Sequence, residues 1–176
     1  METTKNEMPQ YNNTFFNKLK NYLDTPLYFF GSVQRDDYLP NSSDIDVMIF
    51  TDNIKSVVTK IQSFLNNNLG NIAELKKFII KSNNTNELVN GFKIIYEEPE
   101  NNFSTEFSIY DEKHKEYLLN VKQRQIFLPF YASWLLIIVK FFYYTLGVLP
   151  KDWFKYLKDI ILHDLISVKS EDYVAL

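Results

Sequence analysis

The chain contains no cysteine. Disulfides and thiolate zinc sites are therefore excluded, and a reducing compartment is permitted. Its histidines, His114 and His163, are isolated and show no ligand spacing. There is no excess of positive charge: the net value is -3 over 176 residues. Such a chain has no overall field to steer it toward nucleic acid. Residues 1–12 carry no apolar run, so no signal peptide is read there, and with the missing cysteines this points to the cytoplasm. No internal repeat is present, and the Asn clusters at 66–68, 83–84 and 101–102 fall at loop positions.

One long apolar run stands out, Ile126 to Leu149, with Lys140 near its middle. A central lysine costs about 2.5–3.5 kcal/mol on membrane-insertion scales. Pro129 and Gly147 bracket a run of only the minimal spanning length, about 17–25 residues. The run reads as a buried core helix and not as a membrane span, with Trp134 and Phe141 to Tyr144 as core or interface.

A hydrophobic share of 45% and an aromatic share of 16% describe a globular chain with an aromatic core. Asn13 or Thr14 caps a first helix, in which Phe15, Phe16, Leu19, Tyr22 and Leu23 recur at helical spacing. Leu27 to Phe30 reads as a buried strand, 32–43 as a loop, and Asp44 to Phe50 as a second strand. Asp44, Asp46, Met48 and Phe50 share one face of that strand. Thr51 or Asp52 caps a helix with the stripe Ile54, Val57, Val58, Ile61, Phe64 and Leu65, closed near Gly70. Lys77 to Lys81 is a further strand. Phe92 to Glu98 and Phe103 to Tyr110 form a hairpin about Pro99 to Asn102. Helices follow over 112–121, 129–146 and 150–162, the latter two opened by proline.

The informative stretch is Gly31 to Phe50. Gly31 ends a strand and allows close approach to the backbone. Ser32 offers a hydroxyl and an N–H at a turn suited to phosphate. Asp44 and Asp46 point the same way from a strand, where like charges repel. A hard divalent cation relieves that repulsion, and magnesium commonly binds one or two carboxylates together with substrate phosphates. Glu106 is the candidate third carboxylate, because its strand buries Phe107 and Ile109 on the opposite face. Asp111 is the fallback, and Glu97 and Glu98 follow.

Gly31-Ser32, Ser43 before Asp44 and Asp46, and the later Glu106 together resemble the polymerase-β-like nucleotidyltransferase superfamily, over roughly Phe15 to Asp111. The resemblance implies an α+β fold: a mixed sheet flanked by helices over 1–111, then a helical C-terminal region over 112–176. It implies transfer of a nucleoside monophosphate from an NTP, ATP being favoured, to an unidentified acceptor hydroxyl with release of pyrophosphate. Asp44, Asp46 and Glu106 would hold Mg2+ or Mn2+, and Glu106 would help deprotonate the acceptor. Gly31, Ser32, Arg35, Ser43 and Lys140 would contact the nucleotide, with Lys158 behind them. The chain departs from the pattern at Arg35, Asp36 and Asp37, where many small members carry a glycine, and in using Glu as the third acid. A non-catalytic module of the same fold, acting through a homodimer or partner interface, is the alternative.

Overall fold

The computed structural model describes residues 1–68, 70–81, 88–164 and 173–175. The first helix, α1 (Gln10–Leu23), starts a turn earlier than its sequence suggests, with Pro9 at its N-cap. Asn13 and Thr14 are not caps because their side chains turn back: Asn13 Nδ2 donates to Met8 O at 2.9 Å and Thr14 Oγ1 to Gln10 O at 2.9 Å. Asp24, in the left-handed region at φ 53°, closes the helix. Strands β1 (Tyr28–Phe30) and β2 (Ile45–Thr51) follow. Helix α2 (Ile54–Asn66) is capped by Asn53, whose side chain accepts from Ser56 N at 3.1 Å, and not by Thr51 or Asp52.

Strand β3 (Asn71–Lys81) is longer than the segment its apolar residues mark, because Glu74, Lys76 and Lys77 dilute the alternation in its first half. It pairs with β4 (Leu88–Glu98), which turns through Pro99–Asn101 into β5 (Phe103–Asp111). Helices α3 (Lys115–Arg124), α4 (Phe130–Lys140) and α5 (Lys151–Asp159) complete the chain, with a short β6 (Tyr173–Ala175). The Asn83–Asn84 loop, residues 165–172 of the helical C-terminal region and the side chain of His163 lie outside the described residues.

The sheet order is β1-β2-β5-β4-β3-β6. Among the described residues only the β2–β5 pair is parallel, so the sheet is mixed. On one face Phe15, Phe16 and Leu19 of α1 and Val58, Ile61 and Leu65 of α2 pack on Ile45, Val47, Ile49, Phe107 and Ile109. On the other face Leu118 of α3 covers Met48, Phe50 and Tyr110. Both faces of the β2–β5 pair are thus buried along its second half, which fixes the register at its start.

With the sheet already covered, little apolar surface remains for α4. It buries Ala132, Ser133, Leu136 and Lys140, but leaves Phe130 77% and Trp134 62% exposed. The expectation of a buried core helix is corrected here: α4 is apolar all round yet covered on one side. It also ends at Lys140, where the backbone widens into π geometry over Phe141–Thr145. Among the described residues no helix is long and apolar enough to cross a membrane.

Candidate active site

At the end of β1 the chain turns sharply through a single 3-10 turn, Gly31–Gln34. Gly31 has φ +71°, a region in which L side chains are strained. A side chain there would also overlap Asp46 Oδ2, its Cβ standing 3.0 Å from Asp46 Cγ. Glycine is therefore required twice over, by the turn and by the carboxylate against it. The turn is locked by Arg35 N donating to Ser32 O at 2.8 Å. The N-terminal segment backs it: Gln34 Nε2 donates to Thr3 O at 2.7 Å, and Asn6 Nδ2 to Arg35 O at 2.7 Å. Nothing in the polar composition of residues 1–12 signals this supporting role.

Asp46 and Glu106 are Cα partners in the parallel β2–β5 pair and so lie side by side on one face. Asp46 is half-buried and Asp44 exposed just before the strand. Burial first, then the charges of Glu106 and Asp44, push the Asp46 carboxyl up to about 6, against the pull of Lys158 and Arg35. Crowded hard oxygen donors of this kind suit a divalent cation. In this conformation Glu106 Oε1 is held by Lys93 Nζ at 2.7 Å. Among the described residues no three acidic or imidazole groups converge tightly enough to form a ready cage. Of the other acids, Glu97 lines the larger cavity beside the sheet, and Asp111 and Glu98 are occupied elsewhere. Asp111 Oδ1 accepts from Lys113 N at 3.1 Å, and the buried Glu98 accepts from the hydroxyls of Tyr11 and Tyr96.

Arg35 and Lys140 meet at a residue the sequence did not single out, Asp37. Arg35 grips its carboxylate in bidentate fashion, Nε–Oδ1 2.7 Å and NH2–Oδ2 3.1 Å. Lys140 Nζ lies 2.9 Å from Asp37 Oδ2, 2.6 Å from Asp37 O and 3.2 Å from Ser43 Oγ. Those contacts use all three lysine donors. Burial works to raise the Asp37 carboxyl, but the Arg35 hydrogen bond and charge, then Lys140, outweigh it and hold it below the usual range. Burial, with Arg35 and Lys158 nearby, holds Lys140 below the usual lysine range despite Asp37. Asp36, the neighbouring acid, is exposed and pairs with Lys5 at 2.5 Å.

Two cavities meet at the aspartates. The smaller, about 160 Å³, is walled by Gly31, Ser32, Arg35, Ser43 and Lys140. The larger, about 530 Å³, lies between the β4–β5 strands and α5 and includes Glu106 and Lys93. Asp44, Asp46, Tyr144, Phe154 and Lys158 line both. Every residue expected at the site thus borders one cavity or the other. Tyr144 and Lys93 were not foreseen: Tyr144 sits in an aromatic run that reads as packing, and Lys93 in a hairpin strand where a single lysine reads as a solvated face. Burial first, then Asp44, raise the Tyr144 hydroxyl, which keeps it a proton donor.

Residues 13–146 match the family model described as nucleotidyltransferase domain, and the chain belongs to that family. The match runs from α1 through the turns that follow α4. No curated protein sequence matches the chain. Among solved structures, the polymerase core of TRAMP, an RNA surveillance complex, is 19% identical at a TM-score of 0.46, covering 93% of this chain and 53% of that one. The GLD-2/RNP-8 complex gives 17% identity and a TM-score of 0.45, covering 89% and 58%. A cytoplasmic RNA terminal U-transferase gives 14% and 0.40, covering 79% and 43%. The chain therefore spans about half the length of these structures.

Proposed function

We propose that the chain is a metal-dependent nucleotidyltransferase that moves a nucleoside monophosphate from an NTP, ATP by family preference, to an acceptor hydroxyl. The observation that carries this reading is the pairing of Asp46 with Glu106 across β2 and β5, with Gly31 pressed against Asp46. Residues 1–111 act as the catalytic core, and of the C-terminal region expected over 112–176 the helices within residues 115–164 line its cavities, while Tyr173–Ala175 joins the sheet as β6.

Asp44, Asp46 and Glu106 would hold Mg2+ or Mn2+, which when bound neutralises the carboxylates and the phosphates they face. Ser32, at the start of the turn, receives the terminal phosphates through its hydroxyl and N–H. Arg35 keeps guanidinium N–H groups beyond the two that grip Asp37, and these remain available to phosphate. Lys140 has no donor left, so it acts through Asp37 and Ser43 as a positioning residue. Glu106, once released from Lys93, accepts the proton of the acceptor hydroxyl. The hydroxyl oxygen then bonds to the α-phosphorus, the bond to the β-phosphate oxygen breaks, and pyrophosphate leaves.

The test is incubation with each labelled NTP and manganese, following pyrophosphate release and label transfer, with Asp44→Ala/Asp46→Ala as control. Turnover in the wild type alone supports the reading. Silence together with no calorimetric binding of any NTP refutes it. A second reading, a non-catalytic module working through a homodimer, is favoured by the exposed apolar side of α4, Phe130, Trp134 and Ile138, together with Phe127 just before it. A monomeric mass in solution counts against it.

A further inference from the structure

The two cavities differ in what their walls can bind. The larger is bordered on one side by α5, and the charges of that helix are sorted. Lys151, Lys155 and Lys158 are spaced four and three residues apart, so they share a helix face. Asp152 and Asp159 fall on a separate face about a quarter-turn away. Trp153 and Tyr156 are exposed elsewhere on the helix. All three lysines line the larger cavity, and only Lys158 also reaches the smaller one.

Among the described residues no carboxylate lies within ion-pair distance of these lysines. The opposite wall, on the sheet, carries Glu74, Glu97 and Glu106 and is compensated in part: Glu74 Oε1 is 2.8 Å from Lys76 Nζ, and Glu106 Oε1 is 2.7 Å from Lys93 Nζ. The unpaired charge of the cavity is therefore positive on the α5 side, with the aspartates at its inner end. Like charges at four-residue spacing repel, and an anion between them relieves that. Lys158, at the junction, faces the nucleotide side, whereas Lys151 and Lys155 lie only beside the space left for the acceptor.

Resting on the nucleotidyltransferase reading, we propose that the larger cavity is the acceptor subsite and that the acceptor carries a phosphate group. Its hydroxyl is presented to Asp46 and Glu106 while its phosphate lies against Lys151 and Lys155. A neutral polyol lacks the group this wall is built to hold.

The test uses the full chain without nucleotide and three probes: a short oligoadenylate, ribose 5-phosphate, and ribose. Calorimetry at low salt is expected to show binding of the phosphate-bearing probes and not of ribose. Lys151→Gln/Lys155→Gln lowers probe affinity by about tenfold or more, and Lys151→Arg/Lys155→Arg restores it. The slope of log affinity against log salt for the oligoadenylate flattens by about 1.4, at about 0.7 per lost single-strand phosphate contact. Binding of the oligoadenylate alone identifies a nucleic-acid end as the source of the phosphate. Binding of both probes shows that a single phosphate suffices. The inference is overturned if neither phosphate probe binds, if ribose binds equally well, or if the glutamine variant binds as the wild type does. NTP binding, titrated separately, tests the parent reading: its loss in the wild type, with lysine-dependent probe binding intact, refutes the enzyme and leaves the anion wall standing.

Discussion

Replacing Asp37 with Asn removes one negative charge and leaves the shape of the site nearly unchanged. Arg35, Asp37 and Lys140 are 6%, 0% and 4% exposed, so water is a poor substitute for the missing partner. Breaking a buried ion pair by deleting one member costs about 3–5 kcal/mol, because an uncompensated charge stays behind. Here two cations are stranded, Lys140 with its remaining bonds to Asp37 O and Ser43 Oγ and Arg35 with no carboxylate. A domain is stable by only about 5–15 kcal/mol. For a chain of this length each kcal/mol moves the midpoint by about 2–4 °C, so Asp37→Asn is expected to melt about 6–20 °C below the wild type.

Thermal and urea unfolding followed by circular dichroism read this directly. A loss below about 1 kcal/mol would refute the reasoning, since that is the range of exposed pairs. A neutral set, Arg35→Met with Asp37→Leu and Lys140→Met, is expected to recover most of the loss, because apolar groups of similar volume often replace buried ions without penalty. The pH dependence has a fixed sign. The Asp37 carboxyl is held below its ordinary value, about 3.9. Its contribution is therefore complete above that value and is lost as pH falls toward the folded one. The gap between wild type and Asp37→Asn should be flat near neutrality and close only below about pH 4.

Gly31→Ala is expected to reduce turnover by about a hundredfold, the usual cost of a misplacement of about 1 Å, since its Cβ displaces the Asp46 carboxylate; steady-state kinetics against an unchanged far-ultraviolet spectrum checks it. Glu106→Gln keeps the contact to Lys93 but cannot accept a proton, and should lower kcat by about 10²–10⁴, read by single-turnover kinetics at saturating NTP and metal. Glu98→Ala leaves the Tyr96 hydroxyl, raised by burial and by Glu98, without its acceptor, at about 1–3 kcal/mol in denaturant unfolding.

What the sequence disclosed follows from how local each feature is. Gly31-Ser32 and Asp44-Ile45-Asp46 sit at strand ends, where period-two alternation and one sharp turn fix direction. Glu106 was legible because Phe107 and Ile109 are apolar enough to assign its face. Asp37 was not legible. Asp36 and Asp37 are adjacent and identical in type, and what separates them is tertiary: Lys140, 103 residues away, joins Arg35 on the buried Asp37, while Lys5 takes the exposed Asp36. Helix α4 misled for the opposite reason: a segment apolar on every side carries no directional signal, so its sequence cannot say that only Ala132, Leu136 and their neighbours are covered. Strand β3 hid its first half because alternation with lysines resembles a solvated loop.

The loop between β1 and β2 is longer than their pairing needs. Phe30 and Asp46 are opposite each other in an antiparallel pair, a connection that about two to five residues can close. The additional chain makes the Gly31 turn, buries Asp37 and brings Ser43 to Lys140. Through that contact the loop holds α4, whose apolar anchorage is otherwise the small cluster of Ala132, Leu136 and Ile161. Tyr144 and Lys158 reach both cavities from beyond α4, so their position over Asp46 depends on where α4 is pinned. One carboxylate at residue 37 thus sets the Gly31–Gln34 turn on one side and the helices that follow α4 on the other. If the smaller cavity takes the nucleotide as proposed, variants at Asp37 should lose NTP affinity even under conditions where the fold survives, because two walls of that cavity lose their common reference.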